Sequence, residues 1–439
     1  MKIGIIGGTR GLGKTLASIL SKEGFDITIT GRDTVTGNQV SEDLKVEYSN
    51  DNKKVASSSD IIIISVPIST TSKVIKEIAK SVIPGSLVVD VTSVKVEPSN
   101  LMKNLLNNDV EFIPTHPVFG PRTTNLEGQV VVLTPISQKQ KEGKWYPKVL
   151  KFLKDRKVRI IEASPEEHDD MMAVVQVLTH FSYISTASAI KKLGINIKDT
   201  RKFASPIYNL MVDMISRIVS QNPFLTYSIQ LENQNGEKVR QTFADSVLEL
   251  KKVLTNHDKD NFVKIAIEAT KNLDDIQSAL GRSDKAIDSQ NHELTILKNS
   301  IGKEIALQHI YSEEVHIGVL NQVNPDFIIL DTGKNQKKLK IANIKILDKY
   351  DFLDWKIKNQ TTKTNSISCI FPKNSNAEII KDTIKNCVDD IISIKVTDIY
   401  TGHQISEGNV SFTFEIVAFD KSTFKSVKNV LEGFGGIIR

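Results

Sequence analysis

The chain has 439 residues, 25% of them charged and 40% hydrophobic, with a formal net charge of +5. That length is too great for one ordinary core and predicts about two to four domains. Two cysteines, Cys369 and Cys387, exclude a disulfide framework or a cysteine metal site, and both read as small core residues in a reducing, cytoplasmic compartment. The basic residues are dispersed, which argues for a solvated surface rather than nucleic-acid binding. No apolar run reaches the ~18 residues of a membrane span, and an N-terminus that enters a strand at once predicts no signal peptide.

The first seventeen residues, MKIGIIGGTRGLGKTLA, predict a strand over Ile3 to Ile6, a glycine-rich turn and a helix over Leu12 to Leu20. A strand that feeds glycines at a helix N-terminus makes an anion site: backbone N–H groups point outward, the helix dipole favours negative charge, and missing side chains admit a pyrophosphate. Gly8, Gly11 and Gly13 give a variant dinucleotide spacing, while Gly8 to Thr15 also satisfies the P-loop pattern of nucleoside triphosphate proteins. The next segment, Phe25 to Thr30, predicts a second strand and closes a βαβ unit of about 30 residues, which favours a dinucleotide. At the end of that strand the usual acidic position falls on Gly31, with Arg32 next and Asp33 after it. An arginine there suits a 2′-phosphate, so NADP is preferred over NAD.

Further strands are predicted at Ile61 to Val66, Ser86 to Val91, Val110 to Ile113 and Val130 to Leu133, with a helix over Thr71 to Val82. Runs apolar on both faces belong to a doubly wound parallel sheet, whose ligands lie at the C-terminal strand ends; Gly8, Thr9, Arg10, Gly11, Leu12, Gly13, Arg32, Val66 and Pro67 are the candidate cofactor contacts. The expected class is therefore α/β, a Rossmann domain over residues 1–162. Residues 163–288 turn to long helical patterns (Glu166 to Ile190, Pro206 to Ser220, Gln241 to Thr255, Phe262 to Gly281), predicting an all-helical dimerisation domain. Residues 289–355 read as short strands, Lys338 to Leu347 among them; Lys356 to Asn365 reads as a linker, and 364–439 as a ferredoxin-like α+β domain.

Three stretches place polar residues where a core would not: Asp90 to Lys95 after one strand, Pro114 to Arg122 in a proline- and glycine-fixed loop after another, and a helix bearing Arg217. Taken singly these are a helix cap, a structural histidine and a surface ion pair. In this order, behind a dinucleotide loop, they resemble the prephenate dehydrogenases, especially the archaeal type. The resemblance covers about residues 1 to 285 and rests on Gly7-Gly8-Thr9, Asp90 through Lys95, Thr115-His116-Pro117-Val118-Phe119-Gly120, and Arg217 with Asn222-Pro223. It implies oxidative decarboxylation of prephenate with hydride transfer to NAD(P)+. His116 would be the base and Ser93 would orient the ring hydroxyl, both catalytic; Arg217 would bind a substrate carboxylate, with His180 and Lys95 also at the substrate. It further implies a homodimer. His168, in Glu166-Glu167-His168-Asp169, reads as structural or helix-initiating. Gln176 and Val177 stand where the family often has serine and histidine, so arogenate remains an alternative substrate. The last ~75 residues resemble the ferredoxin-fold anticodon-binding module of phenylalanyl-tRNA synthetases and share a strand order with ACT regulatory domains. The expectation there is an accessory or allosteric role, with an amino acid as effector. A P-loop nucleotide-binding protein and a non-catalytic regulator are the readings from other classes.

Overall fold

A computed structural model describes every residue except Thr124, Asp274 and Asp389, and every side chain of those described except that of Gln290. The chain falls into two compact units, residues 1–287 and 288–439.

The first unit is built on eight strands: β1 (Lys2–Ile6), β2 (Asp26–Thr30), β3 (Glu47–Ser49), β4 (Ile61–Ile64), β5 (Leu87–Asp90), β6 (Glu111–Pro117), β7 (Val130–Leu133) and β8 (Arg159–Glu162). Their order is β3-β2-β1-β4-β5-β6-β7-β8. The first six are parallel, β7 runs against β6, and β8 is parallel to β7. Strand order reverses between β1 and β4, so the glycine loop after β1 opens at the switch point where doubly wound sheets bind ligands. Central residues such as Ile5, Ile62, Ile64 and Leu87 are fully buried because helices cover both faces.

The helical part begins with one continuous helical stretch, Pro165–Lys192, the one helix among the described residues long and apolar enough, by length and composition only, to cross a membrane. Only 17% of its most apolar window is buried. Within it, the segment Ala173–Leu178 is a π-helix between the α-helices Pro165–Met172 and Thr179–Lys192. Ile68 and Val94 of the sheet domain pack with Val177 and Ile229 of the helices, so a small apolar core seats the helical part on the strand ends. The predicted helix over Phe262 to Gly281 is two helices, Lys259–Thr270 and Ile276–Asn299, and the expected domain boundary at 288/289 lies inside the second.

The second unit holds two antiparallel sheets. One joins β9 (Glu304–His309), β10 (Val315–Val323), β11 (Phe327–Asp331), β12 (Gln336–Lys340) and β13 (Ile344–Ile346) in the order β12-β11-β10-β9-β13. The single strand expected over Lys338 to Leu347 is thus two strands on opposite edges, broken by a 3-10 turn at Ile341–Asn343. The other joins β14 (Lys363–Pro372), β15 (Ile391–Tyr400), β16 (Asn409–Ala418) and β17 (Ile437–Ile438) in the order β15-β16-β14-β17, the ferredoxin-like arrangement, with helices Ala377–Cys387 and Lys421–Gly433 as its connections. The segment expected as a linker is instead the helix Lys349–Asn359 and the start of β14. Cys369 is buried as expected, but Cys387 closes its helix exposed to solvent.

Candidate active site

The loop after β1 is only four residues, Gly7 to Arg10, and delivers the chain into the helix Gly11–Lys22. A Cβ on Gly13 would stand 2.3 Å from the Gly7 carbonyl, so only glycine lets this helix pack so close to the turn. Arg10 makes no side-chain cap, which leaves the first-turn N–H groups of that helix to a ligand. These features fit a dinucleotide pyrophosphate. They do not fit a P-loop: Lys14 pairs with Asp43 at 3.6 Å, and the Thr15 hydroxyl donates to the Pro121 carbonyl at 2.9 Å.

At the end of β2, a Cβ on Gly31 would meet Thr9 at 2.5 Å, which explains why no carboxylate occupies the usual position. Asp33 instead caps the helix Thr34–Leu44 and accepts from the Arg10 guanidinium at 2.9 Å. Hydrogen bonds from Thr36 hold its carboxyl below the ordinary carboxylate pKa, with the nearby Arg10 charge contributing less. Arg32 is exposed beside it, and Val66 and Pro67 follow β4 at the start of the helix Ile68–Ile78.

His116 lies within β6, opposite Val132 of β7, rather than in a loop after the strand. The strand continues through Pro114 and Pro117, and the Pro114 carbonyl accepts from Thr134 N–H. His116 is 2% exposed. Its Nδ1 is 2.8 Å from His168 Nε2, and His168 Nδ1 is 2.8 Å from Asp169 Oδ1. Asp169 also accepts from the backbone N–H of Lys95 and of Val96, at the start of the helix Val96–Leu105. Its own carbonyl accepts from Asn233. An acceptor-only carboxylate requires His168 to carry its proton on Nδ1. His168 Nε2 is then a lone pair, so His116 donates through Nδ1 and presents a lone pair at Nε2. Burial first of all, and with it the nearby Lys95 charge, pushes the His116 pKa well below 6.5, so it stays neutral. His168, expected only as a structural residue, is therefore the partner that fixes the tautomer of His116.

Lys95 is fully buried. Its ammonium pairs with Asp90 and donates to the Thr115 carbonyl at 2.7 Å and to Thr92 at 3.3 Å. Burial lowers its pKa, and Asp90 opposes that shift. With all three donors engaged, Lys95 ties β5 to β6. Ser93 is half-buried in the same turn. His180 is buried, its pKa lowered by burial and its Nδ1 without a hydrogen-bond partner among the described residues. Arg217 sits exposed in the last turn of the helix Pro206–Val219 and makes no ion pair among the described residues. The structure thus gathers His116, His168, Asp169 and Lys95, while among the described residues no hydrogen bond joins Ser93, His180 or Arg217 to that cluster.

A glycine-loop Rossmann domain, a tautomer-fixed histidine at its strand ends and a helical domain seated over it together define a dinucleotide-dependent oxidoreductase. The chain belongs to the prephenate dehydrogenase family: the family's nucleotide-binding domain matches residues 16–162 and its dimerization domain residues 164–268. A Methanocaldococcus jannaschii protein described as a probable arogenate/prephenate dehydrogenase is 39% identical over 99% of this chain and 98% of its own length. The prephenate dehydrogenase [NADP(+)] of Saccharomyces cerevisiae is 28% identical over 47% of this chain and 45% of its own. The crystal structure of prephenate dehydrogenase from Aquifex aeolicus shares the fold at a TM-score of 0.50, with 24% identity, 61% of this chain and 97% of that one.

Proposed function

We propose that the chain oxidises prephenate to 4-hydroxyphenylpyruvate and CO2, with NADP+ preferred over NAD+. The observation that carries this reading is the buried His116–His168–Asp169 chain at the C-terminal ends of the sheet, which assigns His116 Nε2 its lone pair. A bound nicotinamide dinucleotide, cradled by the loop Gly8 to Gly13 with Arg32, Val66 and Pro67, supplies the hydride acceptor. His116 Nε2 takes the proton of the ring hydroxyl as the hydride leaves the same carbon, and the new imidazolium is stabilised through His168 by the Asp169 charge. Loss of CO2 returns an electron pair to the ring, and His116 gives the proton back to the phenol oxygen. Ser93 orients the hydroxyl, and Arg217, a guanidinium on the helical domain with no ion pair among the described residues, holds a carboxylate of the dianionic substrate. Arg10 and Arg32, flanking a β2 end that has no acid at Gly31, support the 2′-phosphate preference.

Two copies pair through the helical domain, whose exposed Val174, Val175, Ile184 and Met214 want a cover, and the protein works in the cytoplasm. Residues 364–439 are an accessory domain that answers to an amino acid. A truncation near Lys356 with unchanged kinetics and effector response would refute that assignment.

The direct test offers prephenate and arogenate, each with NADP+ and with NAD+, and follows reduced-nicotinamide absorbance. Prephenate with NADP+ gives the highest kcat/KM, and Arg32→Ala narrows the cofactor ratio. Silence in all four mixtures refutes the reading.

A further inference from the structure

The amide nitrogen of Gln176 lies 3.3 Å from His116 Nε2, on the one face of the base that the His168–Asp169 chain leaves as a lone pair. With that lone pair fixed, Gln176 is the donor. At 3.3 Å the bond is at the long end of the useful range and is readily displaced by an O–H group. With the two nitrogens 3.3 Å apart, an oxygen about 2.8 Å from His116 Nε2 can also lie about 2.8 Å from the Gln176 amide nitrogen, within hydrogen-bond reach of both.

The backbone gives this side chain its position. Gln176 is in the π-helical segment Ala173–Leu178. A π-turn is an inserted residue, and one residue turns an α-helix by about 100°, so everything beyond it is rotated relative to His168. The wide turn is braced by Gln230, whose amide donates to the Val177 carbonyl at 2.9 Å. Its apolar side is pinned by Val177, which is fully buried against Ile68, Val94 and Ile229. A costly local geometry, held from two sides, delivers one amide to the base.

We infer that Gln176 is the second hydrogen-bond donor to the substrate's ring oxygen, sharing that oxygen with His116 throughout the reaction. The inference rests on the prephenate reading. In the resting protein the amide caps the His116 lone pair. When the ring hydroxyl arrives, its O–H takes that lone pair and the amide moves onto the oxygen. The O–H bond breaks to His116 and the C–H pair leaves as hydride, making a carbonyl. The C–CO2 bond then breaks and its electron pair flows through the ring onto that oxygen, which reclaims the proton from His116. The oxygen gains negative charge at this stage, and a donor already aimed at it stabilises the transition state.

The test is steady-state kinetics of the full chain with prephenate and NADP+, for wild type, Gln176→Leu and Gln176→Glu, with kcat/KM followed against pH. Losing one donor to an oxyanion predicts a fall of about 100-fold in kcat for Gln176→Leu, with the KM for NADP+ unchanged. Glutamate puts a carboxylate against Nε2 and favours the imidazolium, so Gln176→Glu moves the acid limb of kcat/KM to higher pH. If Gln176→Leu fails to fold, the Gln176→Glu profile decides. A Gln176→Leu enzyme within threefold of wild type, or a Gln176→Glu profile superimposable on wild type, overturns the inference and leaves the functional reading standing. A wild type inert toward prephenate and arogenate overturns both.

Discussion

Replacing His168 with leucine tests the histidine pair without touching the base. His116 then faces an apolar group at Nδ1, 2% exposed and out of reach of water. Keeping the proton on Nδ1 leaves a buried N–H unsatisfied, which costs about 1–3 kcal/mol. His116 escapes that cost by moving the proton to Nε2, the tautomer that cannot accept from a substrate hydroxyl. At 1.36 kcal/mol per tenfold, kcat/KM falls by about 5- to 150-fold. Glutamine at 168 restores an acceptor where Nε2 stood, so His168→Gln recovers most of the loss. The assay is initial-rate reduction of NADP+ by prephenate, with the KM for NADP+ as the control for folding. A leucine variant within twofold of wild type, or a glutamine variant no better than leucine, would refute the tautomer argument.

Other consequences follow from the same geometry. Lys95→Met leaves the buried Asp90 carboxylate, whose Oδ1 has no hydrogen-bond partner among the described residues, without its counter-ion; stability falls by about 3–5 kcal/mol in urea denaturation followed by the buried Trp145. Because the His116 pKa is depressed in the fold, the unfolded chain binds the extra proton first. Stability is therefore retained above about pH 6.5 and lost as pH falls below it, and His116→Gln flattens that slope in pH-dependent denaturation. Gly13→Ala drives a methyl into the Gly7 carbonyl and raises the KM for either dinucleotide at least tenfold, with less effect on prephenate. Arg217→Ala raises the KM for prephenate and leaves the KM for NADP+ unchanged, since its role is confined to one carboxylate.

Much of the sheet domain was legible because its signals are local. Ile61–Ile64 is apolar on both faces, and only a helix-covered parallel strand tolerates that. The glycine loop announces itself through backbone constraints that a sequence displays directly. Pro114 and Pro117 misled by the same logic: they read as loop residues, yet β6 runs through them. His168 was unreadable as a partner of His116 because 52 residues separate them, and an acidic-flanked histidine after Ser164-Pro165 looks like a helix start, which it also is. For Lys95 the sequence shows the motif but not its partners, since only packing shows its donors engaged by Asp90, Thr92 and Thr115. The π-turn went unread because one inserted residue shifts the apolar stripe by about 100° without interrupting the run of helix-forming residues. The strand over Lys338 to Leu347 looked continuous because its two halves have similar composition while pairing with different neighbours.

The central claim is that His116 is the base of a prephenate-oxidising site. Its most direct measurement is product stoichiometry: wild type and His116→Ala incubated with prephenate and NADP+, with NADPH read by absorbance and 4-hydroxyphenylpyruvate by chromatography. Wild type is expected to give one NADPH for each 4-hydroxyphenylpyruvate, and His116→Ala to lose both with NADP+ binding intact. Equal turnover by the two proteins, or NADPH formed without 4-hydroxyphenylpyruvate, would contradict the claim.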